Sequence, residues 1–131
     1  MTDYSDYYSY ADIVRVLERA RAKIANPDNW TRVFVVRNAL GSKCPAKSEE
    51  ACSWCALGAV VAVAKTCEAS AAALDLLEVA SGADERSKGD IGLWNDDPET
   101  SHSDVLAAFD AARLEAIEEA KRNGWKLGWK V

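Results

Sequence analysis

Residues 51–64 read ACSWCALGAVVAVA, a stretch in which only Ser53 is polar. Ser48, followed by Glu49 and Glu50, has the form of a helix start, with an N-cap hydroxyl and acids suited to the positive end of the dipole. The run therefore predicts a helix over about 49–65 that is apolar on nearly every face. Such a helix has to be surrounded by other elements, so the chain reads as a helical domain built around one central helix.

The flanking segments supply the surrounding elements. Ser9 and Asp12 form a capping-box pattern with Asp in place of Glu. Ile13, Val14, Leu17, Ala20 and Ile24 then share one face until Asn26-Pro27 stops the helix. Thr66 is placed to cap a further helix through Leu74, Leu76, Leu77 and Val79, closed by Gly82. A last helix starts near Ser101, shows Val105, Phe109, Ala112, Ala116, Ile117 and Ala120 on one face, and stops at Gly124. Val33-Phe34-Val35-Val36, bounded by turn residues, predicts an irregular connection with one short strand or hairpin near 33–37. The expected fold is mainly α, a single domain of about four helices over residues 1–131. That length suffices for one core, and its 23 alanines favour helix and close approach of helix axes.

The net charge of −5 is carried by one segment, in which Asp84, Glu85, Asp90, Asp96, Asp97, Glu99 and Asp104 face only Arg86 and Lys88. Elsewhere Arg15, Arg19 and Lys23 form an i, i+4, i+8 stripe, and Lys121, Arg122, Lys126 and Lys130 make the C-terminus basic. A pI near 4.9 argues against a dedicated nucleic-acid binder. No apolar run approaches the ~18–20 residues that a bilayer crossing needs, and MTDYSDYYSY is acidic where a secretory signal is basic and then apolar. A cytoplasmic protein is expected, with no membrane partner and with its four cysteines as thiols.

Cys52 and Cys55 form a single Cys-x-x-Cys. A structural zinc site needs about four converging ligands, commonly two such knuckles. Cys44 and Cys67 are irregularly spaced and His102 lies far downstream, so neither metal nor cofactor is expected. A redox pair needs its first Cys at a helix N-terminus, which a helix start at Ser48 places too early. CSWCALG loosely resembles the Cys-bearing helix start of papain-like enzymes, and His102 and Asn95 complete a Cys-His-Asn set. Against that, Trp54 precedes Cys55 instead of following the nucleophile, and Cys55 falls about two turns into the expected helix. The competing reading makes Cys55 a small buried hydrophobe.

Gly58 costs a helix ~1 kcal/mol relative to Ala, so its position predicts a notch for a close neighbour, for which Trp94 is the candidate. Asn95 and Asp96 are expected to turn the chain toward Pro98 by Asx-type hydrogen bonds. As a site, Trp54, Trp94, Asn95 and Asp96 would floor a pocket for a small polar ligand.

Ser53-Trp54-Cys55-Ala56-Leu57-Gly58-Ala59, then Leu93-Trp94-Asn95-Asp96 with Pro98, Thr100 and Val105-Leu106, and upstream Trp30-Thr31, resemble a family of small uncharacterised proteins from bacteria and their phages. The similarity covers about residues 11–115 and rests on the paired WCALGA and WND blocks. It implies a shared helical domain of unknown function and a phage, prophage or mobile-element setting, and it brings no activity. Cys44, Cys52, Cys67, the Tyr-rich start and the WKLGWKV tail lie outside it. The expected function is that of a non-enzymatic accessory protein binding a protein partner. In its sharpest form it is an inhibitor that offers Asp90, Asp97, Glu99 and their acidic neighbours to a basic, nucleic-acid-handling host protein. The alternatives are a small cysteine hydrolase using Cys55, His102 and Asn95, and nucleic-acid binding through the Arg15–Lys23 stripe and the tail.

Overall fold

A computed structural model describes residues 9–83 and 89–123. Asp84, Glu85, Arg86 and Lys88 of the acidic segment, Gly124 and the basic tail, and the Tyr-rich start before Ser9 lie outside the described residues. The elements are α1 (Tyr10–Lys23), a 3-10 turn (Pro27–Asn29), β1 (Val36–Asn38), β2 (Ala51–Trp54), α2 (Ala56–Val63), α3 (Cys67–Ser81), α4 (Ile91–Asp96) and α5 (His102–Asn123). Mainly helical with one small antiparallel sheet, this is the expected class. No helix among the described residues is long and apolar enough to cross a membrane.

The three long helices form where caps and apolar period coincide. Ser9 Oγ accepts from Asp12 N–H while Asp12 Oδ2 accepts from Ser9 N–H, the reciprocal box that starts α1. Thr66 caps α3 through the Ala69 amide, and Gly82 ends it with φ 80°. Ser101 and Asp104 form a second reciprocal box at the start of α5. α1, α3 and α5 pack on one another, with Ile13, Leu17, Leu77, Val105 and Phe109 buried between them. Ala20, Ala73, Ala112 and Ala116 are fully buried, and their small side chains let the helix axes approach.

The central helix is shorter than expected and begins later. Residues 51–54 pair antiparallel with 36–38, in the register Val36↔Trp54, Arg37↔Ser53 and Asn38↔Ala51. α2 starts only after its N-cap, Cys55. Ser48 starts no helix: its hydroxyl accepts from Glu50 N–H and its carbonyl from Ala51 N–H, which closes a turn into β2. An apolar run without a clear period fits strand and helix alike, and here pairing with β1 claims its first four residues. Nor is α2 apolar-buried all round, since Val61 is exposed. The strand expected near 33–37 is shifted to 36–38, and the short helix α4 lies between α3 and α5.

Candidate functional site

Among the described residues the most densely bonded side chain is Asn95, fully buried near the end of α4. Its Oδ1 accepts from the Trp30 indole N–H at 2.7 Å and from the Ala56 amide, the first of α2, at 2.9 Å. Its Nδ2 donates to the Thr31 carbonyl at 3.0 Å and to Asp96 Oδ1 at 3.1 Å. An Asn side chain has two donors and two acceptor positions, and all four are filled. One side chain thereby ties the 30–31 segment, the start of α2 and the end of α4 together.

The neighbours extend this lock. Asp96 Oδ1 also accepts from Val33 N–H at 2.8 Å. The Arg32 guanidinium lies over the Trp30 ring at 4.7 Å and donates to the Thr100 carbonyl. Thr31 N–H donates to Trp54 O, so the segment that Asn95 holds also lies beside β2. Asn95 and Asp96 therefore do not turn the chain toward Pro98. That turn belongs to Asp97, whose Oδ1 accepts from Glu99 N–H and whose carbonyl accepts from Thr100 N–H.

Gly58 marks a close approach, but its neighbour is β1 and the residue before it, not Trp94. A Cβ built on Gly58 would lie 2.2 Å from the Val35 carbonyl oxygen and 3.0 Å from side-chain carbons of Val35 and Val36. The Val35 carbonyl accepts from Cys55 N–H at 2.9 Å, so this backbone is pinned against the first turn of α2. Trp94 is buried on α4, which packs against α2.

Cys55 occupies a helix N-terminus rather than a mid-helix position, which removes the positional argument against a nucleophile and puts an electrostatic one in its place. Its sulfur accepts from Gly58 N–H at 3.3 Å and is 2 % exposed. Burial pushes the thiol above its ordinary 9.0, amide hydrogen bonds from Gly58 and Leu57 pull the other way, and the Asp96 carboxylate raises it further. The thiol is therefore held protonated at neutral pH, and the thiolate is the nucleophile. His102 Nε2 lies 2.6 Å from the Ile24 carbonyl, and its ring is tilted against Trp30 at 5.5 Å between centroids. The structure thus brings Asn95 to the residue after Cys55 and commits His102 to the end of α1.

The other expected site residues separate in the same way. Trp54 is buried with its indole N–H donating to the Ala46 carbonyl. Asn95 has no hydrogen-bonding capacity left, so it offers neither donor nor acceptor to a polar ligand beside Trp54, Trp94 and Asp96. Asp90 caps α4 through the Leu93 amide. Cys44 is partly buried, Cys52 and Cys67 are exposed, and among the described residues no three His, Cys, Asp or Glu side chains converge as metal ligands.

Sequence reasoning missed Trp30 as the partner of Asn95. A buried indole N–H needs an acceptor, and the Trp-Thr and Trp-Asn pairs are the two halves of that contact. It also missed Val33, which has φ 75° and a side chain that is 72 % exposed.

No curated protein and no solved structure matches the chain. One family profile does, over residues 9–115, a span that contains every residue of the Asn95 joint: the chain belongs to the family of unknown function DUF6197.

Proposed function

We propose that the protein is a non-catalytic binding protein of a phage or mobile element, acting in the bacterial cytoplasm on a basic protein partner. Its binding surface is the 33–35 segment together with the acidic turn beside it. The observation that carries this reading is Val33. A positive φ costs a non-glycine residue about 1–3 kcal/mol, and β-branched residues tolerate it least. Burial does not offset that cost, because the Val33 side chain points into solvent. The fold instead holds the strained conformation from below, through Asp96 and the saturated Asn95. Such strain, when a surrounding structure imposes it, is characteristic of functional surfaces.

Val35 and Leu93 are exposed too. Leu93 lies one helical turn before Asp96, and Asp96 reaches Val33. Asp97 and Glu99 follow in the same turn, and Asp90 opens the helix that carries Leu93. An apolar knob with an acidic rim suits a partner that offers a small apolar recess among cations, where complementary charge sets association rate and register.

Capture from bacterial lysate tests this with three proteins: the parent, Val33→Asn, and the triple variant Asp90→Asn, Asp97→Asn, Glu99→Gln. Val33 is the centre of a γ-turn closed by Phe34 N–H donating to the Arg32 carbonyl at 2.9 Å; Asn tolerates positive φ better than Val, so Val33→Asn should leave stability at or slightly above the parent value while removing the apolar contact. The triple variant should melt near the parent temperature, because charges at or near the surface contribute little to stability and Asn retains the capping and turn oxygens. Both variants should lose a discrete basic protein that the parent retains at low salt and releases as the Debye length shrinks from ~10 Å at 0.1 M to ~3 Å at 1 M. Equal retention of that protein by both folded variants would overturn the proposal.

A further inference from the structure

The basic stripe of α1, though its arginines are exposed, borders a concave surface. Arg15 and Arg19 line a cavity of about 110 Å³ whose opposite wall is Lys65 and Thr66, at the start of α3. Val63 and Lys65 also line a second cavity of about 500 Å³, which Lys23, Lys47 and Trp54 help to enclose. The two cavities adjoin at Val63 and Lys65, and together they read as one groove. Five cations line it (Arg15, Arg19, Lys23, Lys47 and Lys65) against two carboxylates, Asp12 and Glu49, in a chain whose net charge is −5.

Internal contacts account for three of these cations. Arg15 pairs with Asp12 at 2.7 Å, the Lys23 ammonium lies 4.2 Å from the Trp54 ring centroid, and Lys47 Nζ donates to the Ala64 carbonyl at 2.8 Å. Arg19 and Lys65 have no hydrogen-bond or ion-pair partner among the described residues. Two unneutralised cations facing one cavity repel each other, and a bound anion reverses the sign of that interaction. α3 runs for fifteen residues from this wall, and the Cys67 and Glu68 amides of its first turn add partial positive charge. The smaller cavity has the volume of a few waters at ~30 Å³ each, and so of one phosphoryl group. The larger one is walled in part by Ala51, Trp54, Ala62 and Val63 and offers an apolar floor for an organic body.

We infer that this groove binds a small phosphorylated metabolite of nucleotide size, its phosphate between Arg15, Arg19 and Lys65 and its organic body over the second cavity. A long polyanion is disfavoured, since the acidic excess of the whole chain repels it at a distance while one phosphate meets only the local cations.

Titration calorimetry on the full chain tests the assignment with inorganic phosphate, AMP, UMP, glucose 6-phosphate and a short oligothymidylate. At least one of the three phosphomonoesters should bind, and more tightly than inorganic phosphate. Arg19→Ala with Lys65→Ala should weaken that binding by about tenfold or more, as the loss of charge-assisted hydrogen bonds requires. Both side chains are exposed, so the melting temperature should stay at the parent value. The inference is overturned if no phosphomonoester binds, if inorganic phosphate or the oligonucleotide binds more tightly, or if the double variant binds as the parent does.

Discussion

Asn95→Asp changes one atom at the centre of the joint, and its effect can be worked from the distances. The variant keeps an acceptor for Trp30 and Ala56 but, ionised, has no donor for the Thr31 carbonyl or for Asp96 Oδ1, now a carboxylate neighbour 3.1 Å away. Two charges at that separation repel by roughly 5 kcal/mol at an effective dielectric near 20, and full burial adds desolvation. The new carboxyl therefore holds its proton in the folded state to a pH well above the unfolded value of ~3.9. A folded-state pKa raised in this way leaves stability intact below the unfolded value, where both states are protonated, and removes it as pH rises toward the folded value. Relative to the parent, the variant should lose about 3–5 kcal/mol at pH 7. The loss should narrow to about 1–2 kcal/mol near pH 4, where the acid donates one hydrogen bond and leaves one acceptor without a partner. Urea titrations of both proteins, followed by tryptophan fluorescence, measure this directly, with equal m-values as the check on two-state unfolding. A deficit that is the same at both pH values, or below about 1 kcal/mol at pH 7, would refute the reasoning.

Gly58→Ala should destabilise by about 1–3 kcal/mol although Ala is the better helix former by ~1 kcal/mol, because the new Cβ meets the pinned Val35 carbonyl at 2.2 Å; a melt at the parent temperature would show that β1 gives way. In iodoacetamide labelling of the folded protein at pH 8, peptide mapping should find Cys52 and Cys67 modified first and Cys55 only on unfolding; Cys55 modified at their rate would remove the buried-thiol assignment. Because the Cys55 thiol is raised above 9.0, its contribution to stability is complete below that pH and is lost as pH climbs past it. Parent protein should therefore weaken more steeply above pH 9 than Cys55→Ser, whose hydroxyl caps α2 without titrating; parallel alkaline denaturation curves would contradict this.

The long helices are legible because independent local signals agree. Ser9 with Asp12, Thr66 with Gly82, and Ser101 before an apolar face each mark an end that tertiary packing then keeps. Residues 51–64 are not legible in that way. Their apolar character demands burial but fixes no period, and the boundary at Cys55 is set by pairing with a strand some fifteen residues upstream. The displaced boundary also displaced the argument about Cys55, which stands at a helix start after all, buried and with its thiol pKa raised. Asn95 illustrates a different limit. Its position after Trp94 and before two aspartates reads as a polar turn, but its partners lie 65 residues upstream at Trp30 and 39 at Ala56, a relation that no local pattern carries.

The acids of the 90–104 segment show why a charge count alone misjudges such a surface. Asp90 caps α4, Asp104 accepts from Ser101 N–H in the box that starts α5, Asp96 holds Val33, and Asp97 shapes the turn into Thr100. Each of these carboxylates is scaffold through one oxygen and surface charge through the group as a whole. Truncation to Ala would remove both roles together and would report only on folding. Exchange of Asp for Asn keeps an acceptor oxygen at the same place and deletes the charge alone. Asp96 is the exception, because its Oδ1 already accepts from both Asn95 and Val33 while its charge acts on Cys55. Neutralising it would loosen the strained loop and lower the Cys55 pKa at once. It is therefore left unchanged in the variant that tests the acidic rim, so that a loss of partner there has one cause.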